Sequence, residues 1–218
     1  MQNGQNLKKT AYDFIVQSIV SGPLKAGRTV DIDTVAAKLN ISRTPVKEAL
    51  MELQGEGLIC KQGRYYSVFI MSENDIISLY EVREVLEAQA ARFAAVRATA
   101  AELREMENLI DSITEMSKRK KRDAILLSDL NGEFHSMVAR ASKNDYLERY
   151  SKEIRLKLKV VRATLFTSLD RIEMEIIEHS EIFNAIARHD PEAAWNIMMQ
   201  HQNNVLRYIK EKGLKKII

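Results

Sequence analysis

Cysteine is almost missing from these 218 residues. Cys60 is the only one, so no disulfide can close within the chain, and this usage fits a reducing cytoplasm. Only 3 prolines and 8 glycines punctuate the sequence, and aromatic residues make up 6%. That scarcity points to a mostly helical chain rather than a turn-rich one. No apolar run is long enough to span a bilayer, and the opening MQNGQNLKKTAYDF has no signal-peptide core, so no membrane association is expected. What is present is 45% hydrophobic residues, enough for a real core, and 29% charged residues. The length suits two modest domains or one large one.

The net charge of +3 is unevenly spread. Residues 1–71 hold nine of the 33 basic residues and six of the 30 acids, which leaves 24 of each sign for the remainder. The whole positive excess therefore sits in the first third, as phosphate binding would want. In that third, Leu7, Ala11, Phe14, Ile15 and Ile19 share one face of a first helix over residues 7–20, broken at Ser21-Gly22-Pro23. A second helix is expected over 33–39, capped by Asp31 or Asp33 and ended by Asn40. A third starts at Ser42, whose hydroxyl is expected to cap it, with Pro45 in its first turn and Gly55 and Gly57 stopping it. Val46, Ala49, Leu50 and Leu53 form its buried stripe, while Arg43, Thr44 and Lys47 lie off that stripe at the N-terminal end. A helix anchored by one face with donors at its start suits insertion into a DNA major groove. Residues 58–70 then change period, with β-formers on both sides of Gln62-Gly63, so a β-hairpin is expected there with Lys61 and Arg64 flanking its tip.

The stretch SRTPVKEALMELQGEGLI resembles the recognition helix and following turn of GntR-family bacterial transcription regulators. The resemblance implies a winged helix-turn-helix in which Ser42, Arg43, Thr44 and Lys47 face DNA, with Lys61, Gly63 and Arg64 on the wing. Two positions depart from the family. Lys47 stands where Arg is usual and lacks its planar two-pronged geometry, and Ile32-Asp33 stand where Glu and a basic residue are common.

Residues 72–218 are expected to form a second, all-α domain, entered at a capping-box-like Ser72-x-x-Asp75. Six helices are expected, over about 73–98, 100–117, 123–141, 145–168, 170–188 and 191–211, folded as an antiparallel bundle. The first is expected to bury Ile76, Leu79, Tyr80, Val82, Leu86, Ala90, Phe93 and Ala94. The second opens on the capping box Thr99-x-x-Glu102, and the five basic residues 118–122 read as a solvated loop. His135, His179 and His201 fall on inward faces of three helices, and Asn131 precedes His135 by four on the same face. Such placement fits core histidines held by hydrogen bonds as well as metal ligands, since separations of 44 and 22 residues make no short metal motif. His189 lies in a turn before Pro191.

REVLEAQAARFAA, NGEFHSMVARASKNDYL and EHSEIFNAIARHDPEAAWNIMMQH resemble the FadR-type C-terminal ligand-binding domain, in its six-helix VanR-like form. That resemblance implies a divalent metal held by Asn131, His135, His179 and His201, with Asn in the place often taken by Asp. Three neutral imidazoles suit Zn²⁺ or Ni²⁺, and a small carboxylate effector could take an open position on the ion. Arg83 resembles the arginine that receives the effector's far end; the alternative is a surface arginine paired with Glu87. The expected protein is a cytoplasmic, homodimeric repressor of a near-palindromic operator, controlled by a small organic acid. Two rivals stand beside it: a metal-dependent hydrolase with a DNA-binding appendage, and a regulator whose metal is purely structural. In the hydrolase reading Glu133 and Glu178 are available acids, but each adjoins an expected ligand and should face elsewhere.

Overall fold

The computed structural model describes residues 2–20, 23–119, 123–158, 161 and 169–213. It divides into two compact units, Met1–Ser72 and Glu73–Ile217.

In the first unit, α1 (Gln2–Val20), α2 (Ile32–Leu39) and α3 (Arg43–Gly55) are followed by strands β1 (Ile59–Gln62) and β2 (Tyr65–Val68). Asp31 caps α2, its carboxylate accepting from the backbone N–H groups of Asp33 and Thr34. Asn40 ends that helix in the left-handed region at φ 53°, so α2 and α3 are joined by the three-residue turn of a helix-turn-helix. Val46, Ala49, Leu50 and Leu53 are fully buried, and α1 packs across them through Ala11, Ile15 and Val16. Each buried leucine contributes about 1.5–3 kcal/mol of transfer free energy.

Ser42 has the extended backbone of an N-cap, φ −74° and ψ 166°, but its hydroxyl makes no capping bond. The expected cap fails for a local reason. The third residue of the helix is Pro45, which has no N–H to offer. Gly55 is the last residue inside α3 rather than its stop, and Gly57 follows with φ +76°.

The hairpin pairs Ile59 with Val68 and Gln62 with Tyr65, so a two-residue connection carries the tip. Gly63 takes the first of those positions with φ +59°, the place that a type II′ turn gives to glycine. A bridge between Thr29 and Ser67 adds a third short extended segment to its edge.

The second unit holds α4 (Glu73–Arg97), α5 (Ala100–Ser117), α6 (Ala124–Ala141), α7 (Asp145–Lys157), α8 (Leu169–Ala187) and α9 (Pro191–Tyr208). Local sequence sets most of the starts. Thr99 and Glu102 form the expected capping box, Asp123 and Asn144 cap α6 and α7, and Asp190 caps α9 with Pro191 in its first turn. A stripe of small residues on α4 (Ala88, Ala91, Ala94 and Ala95) lets neighbouring helices approach closely around Met106, Phe134, Val138, Ile182 and Met198. Lys120 to Arg122 of the basic run, and residues 159–160 and 162–168 of the long helix expected after Asp145, lie outside the described residues.

The inner stripe of α4 differs from the expected one. Val82 is 51% exposed, whereas Arg83 and Glu87 are buried beside Ile76, Tyr80, Ala90 and Ala94. Apolarity alone assigned Val82 to the core. The helix instead turns two charged residues inward, because each finds compensating charge there.

Candidate DNA-contact surface and metal centre

Ser42, Arg43, Thr44 and Lys47 are all exposed at the start of α3, opposite the face buried by Pro45, Val46, Ala49 and Leu50. Arg43 Nε lies 3.0 Å from Asp33 Oδ1 on the preceding helix. On the hairpin, Lys61, Gly63 and Arg64 are exposed. Lys61 sits over the Tyr66 ring at 5.2 Å, and Arg64 over the Tyr65 ring at 5.0 Å while donating to its hydroxyl. The structure therefore brings the seven residues named for DNA contact onto two exposed elements of one unit, and buries none of them.

In the bundle, His135, His179 and His201 come from α6, α8 and α9 and offer ring nitrogens that all lie within 4.8 Å of one another. His135 Nε2 and His179 Nε2 are 3.2 Å apart. All three rings are buried, and Phe134 stacks on His179 with ring centres 4.2 Å apart. His189 stands apart from them, its Nδ1 2.8 Å from the Ala95 carbonyl oxygen.

The far sides of two rings are held by carboxylates. His201 Nδ1 lies 2.7 Å from Glu178 Oε2, which places a proton on Nδ1 and keeps Nε2 out of that bond. That Nε2 is buried and makes no hydrogen bond. His135 Nδ1 stands 2.7 Å from Glu87 Oε2, a close approach that is poorly aligned as a hydrogen bond. A carboxylate behind an imidazole is how proteins orient histidine for a metal. Glu178 thus faces inward, against the expectation that its position next to His179 turns it away. It meets His201 from the neighbouring helix and Arg171 from its own. Glu133 does face outward, where Arg140 donates to it.

Three arginines balance the acids. Arg83 Nε donates to Glu87 Oε1 at 3.1 Å, and Glu87 also accepts from Gln202 Nε2 at 2.7 Å and from Arg155 Nη1 at 3.5 Å. Arg171 donates to Glu175 Oε1 from Nε and Nη2 at 2.9 and 2.6 Å, and from Nη2 to Glu178 Oε2 at 2.8 Å. Burial pushes the Glu87 and Glu175 carboxyls up, but the guanidiniums beside them (Arg83 for Glu87, Arg171 for Glu175) win and hold both well below the usual carboxylate range. Burial pushes His135 down to about 4, against the pull of Glu87, and holds His179 well below its ordinary value, where His135 and His201 add to the effect. Both imidazoles are therefore neutral at neutral pH, the form that binds a metal. The chemistry of the donor set fits a divalent ion such as Zn²⁺ or Ni²⁺.

Asn131 is buried beside this group, its Nδ2 3.5 Å from His179 Nε2 and donating to Glu175 Oε2. Arg83 is 1% exposed, so it is not a surface arginine, although it does pair with Glu87. Its Nη2 is a buried donor with no hydrogen-bond acceptor among the described residues, as is Arg171 Nη1.

Residues 7–65 match the family described as bacterial regulatory proteins, gntR family, and residues 78–204 match the FCD domain. The regulator LutR of Bacillus subtilis is 31% identical over 209 residues, covering 86% of this chain and 94% of LutR. The chain belongs to the GntR family. Within it, the HTH-type transcriptional repressor RspR of Escherichia coli is 23% identical over 210 residues, covering 95% of this chain and 90% of RspR. Among solved structures, E. coli McbR/YncC superposes with a TM-score of 0.72 at 18% identity, covering 94% of this chain and 99% of that one. The protein is accordingly a GntR-type, DNA-binding transcription regulator with a FadR-type second domain, and not an enzyme. No helix among the described residues is long and apolar enough to cross a membrane.

Sequence reasoning paired Glu87 with Arg83 only as a surface contact, and passed over Arg155, Arg171, Glu175 and Gln202. A signal existed for two of those four. Glu175 lies four after Arg171 and four before His179, the spacing of one helix face. Arg155 gave no such signal, because its partner Glu87 lies 68 positions away.

Proposed function

We propose that this GntR-family regulator is a homodimeric repressor acting in the cytoplasm, whose grip on a near-palindromic operator is controlled by a small carboxylate bound at a metal centre in the α4–α9 bundle. The observation that carries the reading is the convergence of His135, His179 and His201, two of them backed by Glu87 and Glu178. The donors Arg83 Nη2 and Arg171 Nη1, buried without an acceptor among the described residues, support an anionic ligand near that centre. Arg43, Thr44 and Lys47 contact bases or phosphates, Ser42 a phosphate, and Lys61, Gly63 and Arg64 the backbone beside the wing. A twofold dimer presents two such surfaces to two half-sites. The ion, when bound, supplies a Lewis-acidic position for a carboxylate oxygen. The residues orient that oxygen, keep the imidazoles neutral and receive the effector's charge on Arg83.

One observation favours a purely structural ion. The enclosed space beside Asn131, Glu175 and His179, walled by Ile110, Ile113, Ile172 and Ile176, holds only about 10 Å³, room for a single water. An effector therefore has to open the site to enter it.

Metal analysis of the purified chain, then melting with a panel of carboxylic acids and DNA binding to the region upstream of its own gene, tests these readings. The main reading expects about one divalent ion per chain, loss of stability on chelation and extra stabilisation by particular acids. Stabilisation by metal alone, with DNA binding blind to every acid, selects the structural ion.

A further inference from the structure

An oxygen ligand from Asn131 would leave the metal centre without a negative charge of its own, because an amide and three neutral imidazoles are all uncharged. A divalent ion there would bring two positive charges into a buried interior with no anion bonded to it. A carboxylate stands within reach on another helix. Glu175 lies one turn before His179 on α8 and is buried. Its Oε1 is pinned by Arg171 at 2.9 and 2.6 Å. Its Oε2 faces the other way, 3.6 Å from His179 Nε2, and accepts from Asn131 Nδ2.

That last bond fixes which way the Asn131 amide points. With the NH₂ turned to Glu175, donor meets acceptor; with the amide flipped, two acceptor oxygens would be pressed together. The nitrogen end of Asn131, which cannot ligate, is therefore the end on the Glu175 side. The spacing of the other groups suits an ion. Tetrahedral ligands at about 2.1 Å stand roughly 3.4 Å from one another. His135 Nε2 to His179 Nε2 is 3.2 Å, and His179 Nε2 to Glu175 Oε2 is 3.6 Å.

We propose that Glu175 Oε2 is the oxygen ligand of the metal centre, giving three imidazoles and one carboxylate, and that Asn131 steers that carboxylate rather than binding the ion. The inference rests on the reading that the three histidines hold a metal. Glu175 stands outside the 4.8 Å cluster of imidazole nitrogens, so ligation draws Oε2 inward while Arg171 keeps hold of Oε1. One anionic ligand halves the charge the ion brings, and Arg171, which also grips Glu178, ties this ligand to the acid behind His201. An external carboxylate must then share the ion with Glu175 or displace it.

The test uses the full chain with Zn²⁺ affinity measured against a chromogenic chelator, and with Co²⁺ substituted for its visible absorption. Glu175→Gln is expected to lose at least about tenfold in Zn²⁺ affinity and to change the Co²⁺ bands. Asn131→Ala is expected to keep the bands. The pair Asn131→Asp with Glu175→Gln is expected to recover affinity to within a few-fold of the wild type, because the carboxylate returns from α6; a merely structural role for Glu175 predicts no such rescue. Unchanged affinity and bands in Glu175→Gln overturn the assignment, as does full loss in Asn131→Ala. Where Glu175→Gln alone does not fold, the double variant decides: affinity near wild type supports the assignment and lost affinity overturns it. A wild-type chain that takes up no metal removes the metal reading and this inference with it, whereas metal bound without Glu175 removes the inference alone.

Discussion

Arg43 and Asp33 face each other across the turn between α2 and α3, Arg43 Nε lying 3.0 Å from Asp33 Oδ1 with both side chains more than 60% exposed. An exposed pair of this kind adds little to stability, about 0–1 kcal/mol. On the proposed DNA-contact reading its effect falls on DNA binding, because Asp33 ties up a guanidinium and adds a negative charge beside it. Asp33→Asn is expected to tighten binding to operator DNA. Arg43→Ala is expected to weaken it by about 1–3 kcal/mol, with melting unchanged in both. Fluorescence anisotropy against a labelled operator checks this. Weaker binding in Asp33→Asn would show instead that the acid orients Arg43 for the groove.

Ser42, proposed as a DNA contact, makes no side-chain cap bond. Its hydroxyl has no N–H to accept at the third helical position, because that residue is Pro45. Ser42→Ala is expected to leave thermal stability within error while weakening DNA binding. Thr99→Ala, which removes a working capping box, is expected to cost about 1 kcal/mol. Parallel melts and anisotropy titrations compare the two, and a clear stability loss in Ser42→Ala would contradict the reading.

Arg83 and Glu87 form a buried pair, each side chain 2% exposed. Arg83→Met strands part of the Glu87 charge and is expected to destabilise the bundle by about 3–5 kcal/mol. Glu87→Gln is expected to cost more, because Arg155 and His135 lose the same acid. The double variant should lose less than the two single losses combined. Urea unfolding of the four proteins measures the coupling, and simple additivity would show that the two side chains do not support each other.

Acid sensitivity follows from the same core. An unfolded histidine takes a proton near pH 6.5, but folded His135 does so only near 4, and folded His179 is likewise held well below 6.5. Between those values the unfolded chain binds more protons. Stability from these imidazoles is therefore fully present above pH 6.5 and is lost as pH falls toward 4. For the chelator-treated protein this loss is expected to be on the order of a few kcal/mol, seen as a falling melting temperature between pH 7 and pH 5. A bound metal should make the fall steeper, because protons then compete with the ion. A flat profile would show that the rings are not held neutral.

Much of the architecture was readable from neighbouring residues. Asp31, Thr99, Asp123, Asn144 and Asp190 mark helix starts by side-chain bonds that span two or three positions. The hairpin declared itself through β-formers around Gly63, and the exposed edge of α3 through the apolar spacing of Val46, Ala49, Leu50 and Leu53. The inner stripe of α4 was harder. Val82 is apolar and points out, while Arg83 and Glu87 are charged and point in, so hydrophobic periodicity misread that turn of the helix.

What the sequence by itself determined was the set of elements and the faces they offer, because caps, turns and apolar periodicity act over a few residues along one backbone. Only the tertiary structure decided that Glu178 stands behind His201, that Glu87 serves Arg155 and His135 together, and that Glu175 turns Asn131 toward itself. Those partners lie on different helices, and their meeting depends on how the helices slide and rotate against one another, a register that no spacing within a single helix records.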